Sequence, residues 1–201
     1  FGASADTEAT RMRIGNTRDY TLIHGEALKK AGRGFVSSSL KAFEEGKSTY
    51  KTVDLILGLQ KTTRKAGSKD RFFQTFPKAL RDRLERYRKD GGTLLVSGSY
   101  LGSEIIEADS LTPFAATTLG YLPFAEGVND SIPKAPVATR TMEVKGSEVI
   151  PGMPVLRPSE LASFRNSPRA GAGNPQAIIP ANENGLVIAR YADSGFPAAI
   201  A

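Results

Sequence analysis

The sequence predicts an α/β protein built on a doubly wound, mostly parallel sheet, with a β-rich C-terminal portion. Amphipathic helical segments alternate with short strand-like runs between residues 17 and 98. Two of these runs, residues 53–57 and 93–97, are compact, mainly aliphatic and free of proline. Helix and strand alternating through short links is typical of a parallel sheet whose helices connect its strands.

The first elements follow from hydrophobic spacing and from glycines. A helix is predicted over residues 17–31, because apolar residues recur on one face and Gly32 is placed to end it. A short strand at 34–39 and a short helix stopped by Gly46 come next. Residues 52–58 are expected to form a strand buried on both faces.

A second helix is predicted after Pro77, which suits a first helical turn. Its inner stripe is expected to be Leu80, Leu84 and Tyr87, and the pair Gly91-Gly92 is expected to close it. Residues 93–98 then form the next strand, adjacent to residues 53–57 in the interior of the sheet. A short helix ended by Gly120 follows.

Beyond residue 120 the sequence becomes richer in proline and contains short β-type runs, at 136–144, 176–181, 185–193 and 196–201. We expect these runs to be antiparallel strands that extend or close the sheet. Residues 1–201 are therefore expected to form a single domain, with an α/β core over about 6–120 and a β-rich extension over about 121–201.

The net charge of +6 is concentrated between residues 61 and 90. Basic residues can attract nucleic acid or acidic polysaccharide. However, acidic and basic residues alternate there at the i,i+4 spacing of a solvated helix face. Neutralising Arg83 and Arg88 is therefore expected to change stability by only a few tenths of a kcal/mol. Nucleic acid is not an expected partner, and no apolar run reaches the roughly 18 residues of a membrane span.

A glycine-rich corner, "VSGSYLGSE", leads from the strand at 93–98 towards a helix. Such a corner exposes its central side chain and aims backbone N–H groups into the same space. Here Gly98 and Gly102 flank Tyr100, whose hydroxyl is a weak nucleophile near neutral pH. The carboxyl ends of the two apolar strands also meet there. The candidate ligand-binding residues are Gly58, Gln60, Gly98, Ser99, Tyr100, Gly102 and Arg18, and Tyr100 is the one candidate catalytic residue.

The chain has no cysteine and one histidine, His24, so thiolate chemistry is excluded. His24 lies well before the corner, and a packing or helix-surface role is the expected one. No metal site and no cofactor are predicted, because no metal-binding or phosphate-binding spacing is present.

The runs "VDLILGLQK" and "FPKALRDRLERYRKDGGTLLVSGSYLGSE" resemble the class I glutamine amidotransferase-like fold, which is flavodoxin-like. In that family a Cys occupies the corner position where this chain has Tyr100. Residues 6–105 are more similar to exported, multidomain proteins of gut and oral Bacteroidetes that carry the name xanthan lyase and often hold a golvesin-like module.

The resemblance implies that the chain is a fragment of a larger exported protein. It also implies a noncatalytic binding or scaffolding domain in glycan handling, located in the periplasm, at the cell surface or outside the cell. Its partners would be carbohydrate or another domain of the parent protein; the oligomeric state is left open. The alternative is a lyase or hydrolase acting on acidic polysaccharide, with Tyr100 as acid or base and Arg18 and Lys61 neutralising a uronate carboxylate.

Overall fold

A computed structural model describes residues 2–4, 19–46, 50–58, 74–98, 101–102, 105, 109–124, 144–146, 176–191 and 194–201. The chain divides into two compact units, Phe1–Gly98 and Ser99–Ala201. Helices occur in both, with parallel strands in the first unit and antiparallel strands in the second. The mixed helix-and-strand class is therefore confirmed. That the two units make one domain stays a prediction.

The first unit contains a four-stranded parallel sheet. Its strands are β1 (Gly2–Ser4), β2 (Ser37–Ser39), β3 (Thr52–Gly58) and β4 (Thr93–Gly98), and their spatial order is β2-β1-β3-β4. All three pairings are parallel. The helices between them are α1 (Asp19–Lys30), α2 (Leu40–Glu45) and α3 (Lys78–Lys89).

The predicted ends of α1 and α3 are confirmed, and they share one mechanism. Gly32 and Gly91 follow α1 and α3 with φ of +67° and +83°, a conformation that favours glycine. The N–H of Arg33 donates to the carbonyl of Leu28, and that of Gly92 to the carbonyl of Tyr87. These bonds occupy carbonyls that the last helical turn leaves unpaired.

The core of the first unit surrounds β3, which is buried on both faces as predicted. Val53, Leu55 and Leu57 are fully buried. The expected inner stripe of α3, Leu80, Leu84 and Tyr87, is buried as well. The ring of Phe43 on α2 meets that of Tyr87 edge-on, with 6.4 Å between centroids.

The predicted interior position of residues 93–97 is wrong for the described sheet. The pairing with β3 is as expected, with Val53 opposite Leu94 and Leu55 opposite Val96. However, β4 is the last strand in the described order, and Leu95 is 54% exposed. An apolar run alone did not indicate that one of its faces would be left uncovered.

The strand β1 was not predicted. Gly2 pairs with both Ser37 of β2 and Asp54 of β3, so β1 lies between them. Its residues, Gly-Ala-Ser, carry no aliphatic strand signal, and its place in the sheet is seen only from its pairing with β2 and β3.

The solvated face predicted for α3 is wrong at Arg83, which is only 7% exposed. Its Nε donates to the carbonyl oxygen of Phe43 at 3.2 Å, and its guanidinium lies 5.1 Å from the centroid of the Phe43 ring. The other basic residues of this helix are at most partly buried, and Lys78 pairs with Asp82. Position 83 falls on the inner stripe between Leu80 and Leu84. The helical period therefore accounts for its burial.

The second unit opens with a helical segment, residues 109–119. It passes from a 3-10 turn (Asp109–Leu111) through Thr112–Phe114 to a π-helical turn (Ala115–Leu119). Gly120, with φ of +76°, ends it as predicted. Leu111, Phe114 and Ala115 contribute to the core of this unit.

The antiparallel strands of the second unit are β5 (Tyr121–Pro123), β6 (Val144–Gly146), β7 (Ile178–Pro180), β8 (Val187–Tyr191) and β9 (Pro197–Ile200). β5 pairs with β7, while β8 lies between β6 and β9. The antiparallel prediction is confirmed for 176–201, whereas most of 136–144 lies outside the described residues. The expected extension of the parallel sheet is wrong for the described strands, because each pairs within its own small sheet.

Candidate functional site

The structure describes three of the residues predicted for the corner. Gly58 and Gly98 are register partners at the ends of β3 and β4, so the sequence correctly placed them together. Gly102 belongs to the second unit and is buried. The remaining candidates, Arg18, Gln60, Ser99 and Tyr100, lie outside the described residues, as does Lys61.

The backbone of the corner at residues 101–102 is hydrogen-bonded to side chains of the second unit. The N–H of Gly102 donates to Oε1 of Gln176 at 2.7 Å. The hydroxyl of Tyr121, itself 3% exposed, donates to the carbonyl oxygen of Leu101 at 2.8 Å. The N–H of Gly102 and the carbonyl of Leu101 therefore both have partners inside the protein.

Gln176 is itself held in place from the strand β8. The hydroxyl of Tyr191 donates to the backbone carbonyl of Gln176 at 3.1 Å. Burial raises the pKa of Tyr191 to about 12, so its hydroxyl keeps its proton and remains a donor well above neutral pH. A buried tyrosine thus fixes the backbone of the residue whose side chain contacts Gly102.

This arrangement differs from an anion-binding corner. An oxyanion or phosphate site needs backbone N–H groups that point at the ligand without an internal acceptor. At Gly102 the N–H already binds an amide oxygen, and Gly102 and Leu101 are both buried. At Gly102, one backbone donor of the corner is therefore already occupied.

Replacing Gln176 with leucine is expected to release the N–H of Gly102. The amide should exchange its hydrogen faster, and stability should fall by about 1 kcal/mol, since one buried hydrogen bond is lost. Amide hydrogen exchange followed by NMR measures the first effect and urea unfolding the second. Gln176→Glu, which keeps an acceptor oxygen, is the matched control; equal exchange rates for Gly102 in both variants would contradict the assignment.

A second polar site lies in the first unit, between α1 and β3. Nδ1 of His24 and Oδ2 of Asp54 are 2.6 Å apart. The side chain of Asp54 is 9% exposed and that of His24 is 28% exposed. The other carboxylate oxygen, Oδ1, is buried and has no hydrogen-bond partner in the structure.

The His24–Asp54 pair lies before the end of β4, within the first unit. Asp54 is level with Leu95 of β4, three residues before Gly98. A strand rises by about 3.3 Å per residue, which places the pair about 10 Å below the end of the strand. His24, the one histidine of the chain, is thus held at mid-strand by a carboxylate rather than at the glycines that begin the corner.

Sequence reasoning did not find this pair. One signal was present: Asp54 interrupts an aliphatic run predicted to be buried on both faces, and a buried carboxylate requires a partner. The only histidine lies on α1. The contact between Gly102 and Gln176 had no comparable signal, because the two residues belong to segments far apart in the chain and glutamine is common on surfaces.

No group of three or more metal-binding side chains occurs among the described residues, and none of the helices described there is long and apolar enough to cross a membrane. No family model matches the chain, and neither the curated proteins nor the solved structures with which it was compared include a match.

Proposed function

We propose that the chain is a noncatalytic, amidotransferase-like binding or scaffolding domain of an exported bacterial protein that handles glycans. The observation that carries the noncatalytic part is the bond from the N–H of Gly102 to Gln176, which occupies a donor of the corner from within. The exported setting and the glycan role are expectations from the resemblance of residues 6–105.

The position of His24 supports the same proposal. A nucleophile needs a general base within hydrogen-bond reach. This chain has no cysteine, and its single imidazole is bound to Asp54 at mid-strand, about 10 Å before the end of β4. The one histidine of the chain is therefore already paired with a carboxylate before the end of β4, which supports a corner that works without a histidine base.

The doubly wound fold is part of the proposal, and the strand order supports it. In the order β2-β1-β3-β4, the connection from β1 to β2 moves towards one edge of the sheet, and the connection from β3 to β4 moves towards the other edge. Right-handed crossovers then place α1 on one face and α3 on the opposite face. α2 contacts α3, whereas α1 supplies His24 to Asp54. The same order begins the flavodoxin-like sheets.

The purified chain is expected to release neither ammonia from glutamine nor unsaturated sugar from xanthan or other uronate polymers, with or without divalent metal. Tyr100→Phe should leave these assays unchanged. Affinity electrophoresis through gels containing xanthan, compared with a neutral polysaccharide, tests the binding role. Turnover of either substrate class that disappears in Tyr100→Phe would reject the noncatalytic proposal in favour of the lyase or hydrolase alternative.

A further inference from the structure

Two buried polar atoms on α1 and β3 have no hydrogen-bond partner. We call Thr21, His24 and Asp54 the α1/β3 cluster. Oδ1 of Asp54 and Oγ1 of Thr21 are both buried without a hydrogen-bond partner. Thr21 lies three residues before His24, so the two side chains share one face of α1. Within the described residues, the side chain that contacts the Asp54 carboxylate is His24.

The unused groups of this cluster are mainly acceptors. A carboxylate oxygen only accepts, and a threonine hydroxyl offers lone pairs as well as one hydrogen. When His24 is neutral and donates from Nδ1, its Nε2 is a third acceptor. A buried carboxylate oxygen without a donor is costly, so a ligand with several N–H donors and a positive charge would complement the cluster.

The exposed side chains next to the cluster lie towards β4. Asp54 and Leu95 are register partners in parallel strands, so their side chains project from the same face of the sheet. Leu95 is 54% exposed, and the side chain of His24 is 28% exposed. Leu95 and His24 are therefore the solvent-exposed side chains beside the cluster, while its two unpaired oxygens are buried.

We propose that the α1/β3 cluster binds a primary ammonium group, either the ammonium ion itself or an amine carried by a small molecule. Such a group has three N–H donors and one positive charge. Asp54 supplies charge and an acceptor, Thr21 supplies an acceptor, and His24 lies at the entrance. This site is independent of the proposed function and of the corner.

The single histidine makes the test specific, because the imidazole signals in a ¹⁵N–¹H spectrum belong to His24 alone. The probes are ammonium chloride and methylammonium chloride at constant pH. Tetramethylammonium chloride, which has the charge but no N–H, and sodium chloride serve as controls at equal ionic strength. We expect saturable shifts with one or both probes and none with the controls. A response to ammonium alone identifies the ion as the ligand, and a response to methylammonium identifies the carried amine.

Two variants locate the site. Asp54→Asn should abolish the saturable shift, and Thr21→Val should weaken binding by about tenfold, the effect of one hydrogen bond to a charged group. Thr75→Val is the matched control, since Thr75 is 1% exposed and its hydroxyl is also unpaired. If Asp54→Asn does not fold, Thr21→Val decides. Equal shifts in all four salts, or full binding by Thr21→Val, would overturn the proposal.

Discussion

Gly92→Ala is expected to destabilise the first unit by about 3 kcal/mol or more. A Cβ at position 92 would lie 2.2 Å from Cζ of Tyr87. That ring cannot move aside cheaply, because Tyr87 is 3% exposed and its hydroxyl donates to the carbonyls of Tyr50 and Thr93. Urea unfolding followed by circular dichroism measures the loss.

The control for this prediction is Gly34→Ala. A Cβ at Gly34 has nothing within 4 Å, so the change should alter stability by at most about 0.5 kcal/mol. The clash is also testable by non-additivity: in Tyr87→Leu the ring is gone, and adding Gly92→Ala should then cost little. Equal stabilities of Gly92→Ala and Gly34→Ala would contradict the predicted clash.

Arg83→Met is expected to cost about 2–3 kcal/mol. Methionine keeps much of the aliphatic volume but leaves the carbonyl of Phe43 without the Nε donor of Arg83. It also removes a cation that lies 5.1 Å from the centroid of the Phe43 ring and 6.0 Å from that of Tyr87. The expected loss of stability is thus larger than the few tenths of a kcal/mol predicted for a solvated arginine at this position.

Arg86→Met is the matched control on the same helix. Arg86 is exposed, and its Nε donates to the carbonyl of Asp82 within its own helix. Its replacement should therefore change the free energy of unfolding by no more than about 0.5 kcal/mol. The buried role of Arg83 would be disproved by two variants that unfold at the same urea concentration.

The helices and their ends were predictable because local physics determines them. Gly32, Gly91 and Gly120 have positive φ and follow helices, which is the conformation for which glycine is preferred. Leu80, Leu84 and Tyr87 are buried as their spacing predicted. At Arg83, the position on the helical period determines burial despite the charge of the side chain.

The pairings that depend on distant residues were less predictable. The sequence indicated that β3 and β4 are neighbours, yet the edge position of β4 depends on which other strands join the sheet. At the candidate site, Gly58 and Gly98 were placed together correctly from the parallel arrangement. Gln176 and Asp54 were not, because their partners come from other segments and leave no periodic signal in the chain.

The central location of β1 also bears on the order in which the sheet can assemble. Gly2 can pair with Ser37 only after α1 has been synthesised, and with Asp54 only when the chain is complete through β3. Each parallel pairing must therefore close a long loop before its contacts form, which is the feature that slows folding in parallel sheets. During synthesis both partner strands of β1 emerge after it, so neither of its edges can form these pairings until they do.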